Sequence, residues 1–412
     1  MDKQQKAIIL GGTDDHIALI ENLKKRGYYT ILIDYNANPP AKVAADLHIQ
    51  ESTLEEDKVL KIATEQKVDL VISACIDQAL LTACYVAERL GLPAPFSYET
   101  ALNVTNKGYM KKRMVENGIP TSNYYFVDSS TDIESLELLY PIMVKPADSN
   151  GSFGVKKAHD KEELNRYLIE ALKISRSATA IAEEFNTGIE VSVDCFVENG
   201  ISKIVMMSQL FKKAIDASTM LIFQSVIPAE ISDNARFKIE DIANRIASNF
   251  NLDNTPLLIQ TIVNEDDVRV IEFSPRIGGT KHKAIKDITS FDILDSSIDS
   301  FLGKKVKVEF NQPKNYTSKN HIYTYPGIFG DIANYDTLLT EGVISDFIFF
   351  KTRGMEINGD LASRSRVASF VVKSSSKELL FEKINQAVNT LQVYDINGEP
   401  IMRKDIFQGE KI

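Results

Sequence analysis

Residues 268–279, VRVIEFSPRIGG, hold the densest chemistry in the chain. In an extended strand alternate side chains share a face, so Glu272, Ser274 and Arg276 point the same way. A hairpin folded about residues 264–267 brings Gln260, from the preceding run LLIQTIV, nearly opposite Glu272. A carboxylate, an amide, a hydroxyl and a guanidinium then cluster at one sheet end. Oxygen donors of this kind suit Mg²⁺, which keeps several waters and bridges to phosphates. Arg276 offers a fixed fork for a phosphate or a developing oxyanion. The same residues also fit a plainer reading, a structural Glu–Arg pair ahead of a proline-terminated strand. Spacing alone does not separate the two.

Two further stretches carry charge in suggestive places. In residues 141–155, PIMVKPADSNGSFGV, strand alternation puts Ile142 and Val144 on one face and Met143 and Lys145 on the other. A lysine on a half-buried strand suits a phosphate. The loop behind it runs through Ser149, Gly151, Ser152 and Gly154. Its glycines let successive backbone N–H groups converge on an anion. Alone, such a loop is more often an ordinary turn; the lysine at its edge favours the anion. In residues 180–193, AIAEEFNTGIEVSV, Glu183 and Glu184 end one strand and Glu190 begins the next. They read either as solvated turn charges or as a hinge. A hinge would meet an adenine edge through its backbone and hold ribose hydroxyls with a carboxylate.

The elements that must position these groups follow from periodicity. Residues 6–11 and 29–34 read as buried strands, as does 68–74. Helical patterns run from His16 to Arg26, near 54–66 and near 77–90, with Gly27 and Gly91 as C-terminal caps. Strands alternating with helices predict a parallel, doubly wound α/β sheet over residues 1–103. Gly11 and Gly12 fit a tight strand-to-helix turn. Asp77 and Gln78 follow the third strand, where open sheets bind ligands. A helix over about 106–117 then opens a second region, 104–310. Strands are expected there at 124–127, 141–145, 179–185 and 189–198, and through much of 203–227. Helices are expected near 160–172 and 232–250, ahead of the 257–263/268–273 hairpin. The remainder, 311–412, offers strands at 345–350 and 366–373 and a helix near 376–391.

Composition and missing motifs narrow the classes. The 412 residues are 44% hydrophobic and 25% charged, the balance of a globular protein with room for more than one core. The net charge of −10 argues against nucleic acid as the main partner. Three cysteines, Cys75, Cys84 and Cys195, form no CxxC pair, and they read as reduced residues in a cytoplasmic protein. MDKQQKAIILGG reads as a first strand and not a signal peptide, and no run reaches the ~18 apolar residues of a membrane helix. No two glycines stand at i and i+2, which excludes the GxGxxG fingerprint and argues against a Rossmann oxidoreductase, the third reading suggested by the N-terminal βαβ pattern. A P-loop, HExxH, GxSxG and HRD are also absent.

Together the motifs resemble the ATP-grasp superfamily. Its pattern is a strand lysine, a small-residue loop, an EE-hydrophobic hinge with a later Glu, and a hairpin ending in E-[IMF]-N-P-R. The chain supplies Lys145, the loop through Gly154, Glu183-Glu184-Phe185, Glu190 and Glu272-Phe273-Ser274-Pro275-Arg276 in that order. Asn106-Lys107-Gly108-Tyr109-Met110-Lys111 looks like the family's N-K-x-x-M-[KR] segment. The likeness covers roughly residues 1–400. It implies an N-terminal pre-ATP-grasp domain, then a two-lobed α+β ATP-grasp domain with a lid lobe at about 123–186, then a C-terminal α+β segment. It further implies that Lys107 and Lys145 bind ATP phosphates and that the loop of Ser149, Gly151, Ser152 and Gly154 closes over them. Glu183, Glu184 and Phe185 would border adenine, and Glu190 the ribose. Glu272, Gln260 and Ser274 would ligate one or two Mg²⁺ ions, for which Mn²⁺ can substitute. Arg276 would stabilise the transition state, with Lys145 as its catalytic companion. The family usually has a carboxylate where Gln260 stands and an asparagine where Ser274 stands, which puts a second metal ion in doubt.

Within the superfamily the layout is similar to L-amino-acid ligases, carbamoyl-phosphate-synthase-like proteins and purine-pathway carboxylate ligases. The implied reaction joins a small carboxylate to an amine through an acyl phosphate, releasing ADP and phosphate. The alternatives are a carbamoyl-phosphate-synthase-like protein with another small carboxylate, and an ATP-binding module without chemistry. Lys281 and His282 read as a solvated loop or as holders of a substrate carboxylate. Phe211-Lys212-Lys213 and Gln224-Ser225 lie where substrate loops often run. Expected partners are the two small substrates and no nucleic acid or membrane; dimers are common among the lookalikes. Nothing in the sequence names the acid or the nucleophile.

Overall fold

The computed structural model describes residues 4–137, 139–149, 153–359 and 365–408. Contacts divide the chain into two compact units. One comprises Met1–Ser122, Ser192–Met206 and Ile231–Gln312; the other comprises Asn123–Val191, Met207–Glu230 and Pro313–Ile412.

In the first unit a parallel sheet forms from the strands Lys6–Leu10, Tyr29–Asp34, Leu47–Gln50 and Leu70–Ile72. Lys6–Leu10 lies between Tyr29–Asp34 and Leu70–Ile72, and Leu47–Gln50 takes the far edge. Ile8, Ile9 and Leu10 are fully buried, as a strand covered on both faces requires. The strand order reverses between Lys6–Leu10 and Leu70–Ile72. Open sheets of this kind leave a crevice beyond the carboxyl ends of such strands. The loops there lead into the helices Asp14–Lys25 and Asp77–Leu90.

The same unit holds the antiparallel hairpin Thr255–Asn264/Asp267–Ser274, in which Gln260 pairs with Glu272 across a register that shifts at Thr261. Asn106 caps the helix Lys107–Glu116 by accepting from the Gly108 and Tyr109 N–H groups. Beyond that helix Thr121 bridges to Val270, and its hydroxyl donates to the Val270 carbonyl while accepting from buried Lys111. These bonds fix the helix against the hairpin.

In the second unit Tyr124–Val127, Ala180–Glu184, Ile142–Pro146 and Lys156–Ala158 form an antiparallel sheet in that spatial order. The helix Lys161–Ile174 covers one face, with Leu164, Leu168 and Ala171 against Val144 and Ala182. A second sheet contains Met220–Ile227, Tyr316–Ile322, Ala368–Ser374 and Asp346–Phe349, backed by Lys377–Thr390. Among the described residues no helix is long and apolar enough to cross a membrane.

Expected and observed elements agree for the N-terminal alternation, the lysine-bearing strand, the hairpin and the last long helix. Several elements were not expected. Leu47–Gln50 is a short edge strand, and the helices His282–Thr289 and Ile293–Phe301 follow the Arg276 loop. Tyr316–Ile322, YTSKNHI, shows no apolar alternation, yet Ser318 and Asn320 are fully buried. Gln224 donates to the Asn320 side chain, so polar pairing takes the place of apolar contact there.

Candidate active site

In the first unit Gln260, Glu272, Ser274 and Arg276, which strand spacing puts together, and Lys107, which the resemblance adds, line one pocket. Asp77 and Gln78 line it too. Lys107 Nζ lies 3.5 Å from a Glu272 carboxylate oxygen. Arg276 is gripped by Asp77 in a two-pronged pair: Nε donates to Oδ1 at 2.8 Å and Nη2 to Oδ2 at 2.9 Å. Ser274 donates its hydroxyl hydrogen to Asp77 as well, and Arg276 Nη1 donates to the Ile277 carbonyl at 3.0 Å. Burial pushes the Asp77 carboxyl up, but the Arg276 charge and the Arg276 and Ser274 hydrogen bonds outweigh it and hold the group below its ordinary range. Burial also disfavours the Arg276 cation, and Asp77 more than restores it.

The groups of this pocket able to ligate a hard cation such as Mg²⁺ are the oxygens of Glu272, Gln260 and Ser274. Glu272 supplies a carboxylate, the Gln260 amide stands opposite it, and the Ser274 oxygen keeps lone pairs after donating its hydrogen. Among the described residues no three His, Cys, Asp or Glu side chains gather as an all-protein metal cage.

Beside this pocket lies a second network, of which sequence reading named only Lys281 and His282. The Thr280 N–H donates to both Asp15 oxygens, each at 2.9 Å. His282 Nδ1 lies 2.9 Å from Asp15 Oδ1, and the Cys75 thiol donates to Asp15 Oδ2 at 3.4 Å. Lys281 Nζ donates to Ser192 Oγ at 2.6 Å and to buried Asp194 at 2.7 Å. Burial pushes the Asp194 carboxyl up against the pull of Lys281 and Arg276. Lys281 and His282 are thus not solvated loop residues; each is held by a carboxylate of the chain. One signal was available, since Glu190, Ser192 and Asp194 recur at the strand period of two and are all buried. Asp15 gave none, because an acid just ahead of the expected helix from His16 reads as an ordinary partner of the helix N-terminus.

The turn at Gly11–Gly12 is filled by the chain itself. Gly11 has φ +105°, and an added Cβ would lie 2.9 Å from the His16 ring. The Gly12 N–H donates to Asp34 at 2.8 Å. This is the tight turn the sequence suggests, with that amide already committed.

In the second unit Lys145 Nζ meets Glu183 Oε1 at 2.5 Å, both side chains being buried. Register explains the pair, since Met143 faces Glu183 and Lys145 stands two residues on. Glu184 accepts from Asn123 Nδ2 at 2.9 Å and from the Leu139 N–H at 3.3 Å. The Phe185 N–H donates to the Pro141 carbonyl at 3.0 Å, and Lys157 lies 4.0 Å from the Phe185 ring centre. Buried Glu190 pairs with Lys212. Ser149 Oγ donates to the Phe153 carbonyl at 2.9 Å, and Gly154 adopts φ +76°. Gly151 and Ser152 lie outside the described residues. Lys213 donates to the Asp405 and Gln408 carbonyls, so the Phe211–Lys213 and Gln224 stretches have structural partners.

Residues 138–284 match the family model of the ATP-grasp domain. The chain is 24% identical over 295 residues to the carbamoyl phosphate synthase large chain of Clostridium perfringens, a match covering 69% of this chain and 27% of that one. It thus spans about a quarter of the length of the curated relatives it matches. Among solved structures, the L-amino acid ligase of Bacillus licheniformis superposes with a TM-score of 0.80 at 19% identity, covering 96% of this chain and all of that one (100%). The N5-carboxyaminoimidazole ribonucleotide synthetase of Thermotoga maritima gives 0.71 at 17%, covering 95% and 99%. At such identities the likeness speaks for the fold.

Proposed function

We propose, from the premise that this chain is an ATP-grasp protein, that it is an ATP- and Mg²⁺-dependent carboxylate–amine ligase acting through an acyl phosphate. The observation that carries the reading is the pocket of the first unit. A lysine, a carboxylate, an amide oxygen and a clamped guanidinium share one cavity in a chain with an ATP-grasp domain.

In this reading Lys107 neutralises the phosphates. Glu272, with Gln260 and Ser274, holds the ion, which supplies charge neutralisation at the phosphate oxygens when bound. Asp77 occupies Nε and one hydrogen of Nη2, and Ile277 takes one hydrogen of Nη1. One hydrogen on each Nη remains, enough to stabilise a transferring phosphoryl group or a tetrahedral oxyanion. In the second unit Lys145 acts on the phosphates, with the loop of Ser149, Gly151, Ser152 and Gly154 closing over them. Glu183, Glu184 and Phe185 border the adenine, and Glu190 the ribose, with Lys212 as the counter-charge that orders it. The acid gains a phosphoryl group from ATP, and the amine displaces phosphate from the resulting acyl phosphate. The domain plan is a pre-ATP-grasp domain to about 103, an ATP-grasp domain over 104–310 with a lid lobe at about 123–186, and a C-terminal segment beyond. A cytoplasmic homodimer and tolerance of Mn²⁺ belong to the same reading.

A phosphate-release screen over pairs of amino acids and small carboxylates tests it. Acid-dependent ADP and phosphate are expected from one pair or more. Arg276→Ala is expected to abolish turnover, by about 100-fold or more, while ATP affinity falls only modestly. Unchanged turnover in that variant would sink the assignment. One observation favours a second reading: the carbamoyl phosphate synthase relatives point to another small carboxylate as the acid. The same screen, run with small inorganic acids, separates the two.

A further inference from the structure

The Asp15–His282 pair of the first unit has no part in the reading above. His282 opens the helix His282–Thr289, and Asp15 lies in the first turn of Asp14–Lys25. Asp15 is fixed from several sides, by the Thr280 N–H, the Cys75 thiol and His282 itself. A carboxylate only accepts, so the proton of the 2.9 Å contact sits on His282 Nδ1. In the neutral ring the lone pair is then on Nε2, which has no hydrogen-bond partner among the described residues. The carboxylate is buried, with 5% of its side chain exposed, and the imidazole is open to 18%. A buried acid thus sets the tautomer of a ring that solvent or a ligand can still reach, as a general base requires.

Its place is equally specific. Cys75, which donates to Asp15, stands two residues before Asp77, and Cys75 and Arg276 act on each other electrostatically. Thr280 follows Arg276 by four residues. Asp15 and Cys75 both follow strands at the point where the parallel sheet reverses its order. The pair therefore adjoins the Arg276 pocket without belonging to its phosphate and metal groups. His16 and Asp292 are among the charged or titratable groups that act on it, with Cys75.

We propose that His282 is the general base for the attacking amine and that Asp15 is its positioning residue. This rests on the ligase reading. An ammonium ion has no lone pair, so it must lose a proton before it can attack an acyl phosphate. His282 Nε2 takes that proton. The amine nitrogen then bonds to the acyl carbon, and the carbon–oxygen bond to the phosphoryl group breaks with its electron pair leaving on phosphate. The second nitrogen proton goes to the departing phosphate, and His282 returns the first to water. Atoms and charge balance with no further reactant. The acids Asp77, Asp194 and Asp15 stand beside Arg276, Lys281 and His282, and that much carboxylate favours an ammonium over a substrate carboxylate here.

The test compares two nucleophiles on the full chain with ATP, Mg²⁺ and a panel of amino acids as acids. Hydroxylamine is unprotonated at neutral pH and traps an acyl phosphate as hydroxamate without help from a base. Methylamine and the pooled amino acids are almost wholly protonated. His282→Gln is expected to keep hydroxamate formation within about twofold and to lose amide formation by about 100-fold or more. Asp15→Asn is expected to show the same split at about tenfold. Retained hydroxamate formation also shows that each variant is folded. Wild-type amide formation by His282→Gln overturns the proposal, and so does equal loss with both nucleophiles. Wild-type protein that yields hydroxamate but no amide from any ammonium nucleophile overturns it as well. No hydroxamate from wild type with any acid overturns the ligase reading first, and this proposal with it.

Discussion

At the scale of single residues the site depends on how Arg276 is held. Its guanidinium and the Asp77 carboxylate keep 16% and 17% side-chain exposure. Breaking a fully buried pair of this kind costs roughly 3–5 kcal/mol. The residual exposure brings the expectation for Asp77→Asn down to about 2 kcal/mol, read from denaturant midpoints. A freed guanidinium also loses its aim, so turnover is expected to fall by about tenfold or more with ATP affinity nearly kept. Unaltered turnover would show that Arg276 needs no clamp. Gln260 offers a second test. Gln260→Glu places a carboxylate directly across from Glu272, where like charges cost roughly 0.2–1 kcal/mol in the metal-free protein. The same pair should bind Mg²⁺ more tightly. The variant is therefore expected to melt earlier without Mg²⁺ and to reach half-maximal activity at lower Mg²⁺. The period of two made Glu272, Ser274, Arg276 and the opposing Gln260 legible in the sequence. It could not show the clamp of Asp77 on Arg276, 199 positions away, because a contact so remote leaves no local pattern; Asp77 itself was suggested only by its place after the third strand.

At the scale of elements, legibility followed apolar patterning. IVLA-rich strands such as Lys6–Leu10 announce themselves because burial on both faces demands continuous apolar residues. Tyr316–Ile322 does not, since it buries Ser318, Asn320 and His321 and satisfies Asn320 through Gln224 and His321 through Ser369. The two helices after Arg276 are short, nine residues or fewer, and give the period of 3.6 little room to register. The Gly11 turn joins this scale to the site, because it sets the path from strand to the helix that bears Asp15. Gly11→Ala puts a Cβ 2.5 Å from Ile76 Cδ1 and 2.9 Å from the His16 ring, at φ +105°. The Ile76 contact can relax, being the end of a flexible side chain. The ring cannot, since Thr13 holds its Nδ1 at 2.8 Å. A loss of roughly 1–3 kcal/mol in unfolding free energy is expected from the backbone conformation alone. A midpoint equal to wild type would mean that the turn re-forms around alanine.

At the scale of the whole molecule, the two units interleave along the chain, and the strands Ile189–Glu198 and Ile201–Ala214 place residues in both. Hydrophobic periodicity reports where a strand is, not which core it joins, so this partition was not readable. Each unit also encloses a neutral histidine, and together they predict how the protein responds to acid. Burial drives His16 down to about 4, despite the opposing pull of Asp15 and Asp34. Burial likewise holds His321 well below 6.5, reinforced by the Arg366 and Lys319 cations. Above pH 6.5 both histidines are neutral in folded and unfolded chains alike, so neither costs stability. Below it the unfolded chain takes up protons that the folded chain refuses, and stability falls with pH. For His16 the decline runs from about 6.5 to about 4 and amounts to roughly 3 kcal/mol at about 1.4 kcal/mol per pH unit. His321 adds to it with the same sign. Net charge acts the other way, because the chain moves from −10 toward its pI of about 5.2 and repels itself less. Substitution separates the two effects. Urea midpoints of wild type are expected to fall between pH 7 and pH 5. His16→Asn and His321→Asn, though less stable at pH 7, are expected to lose less over that interval. Equal slopes in all three proteins would assign the acid response to charge elsewhere.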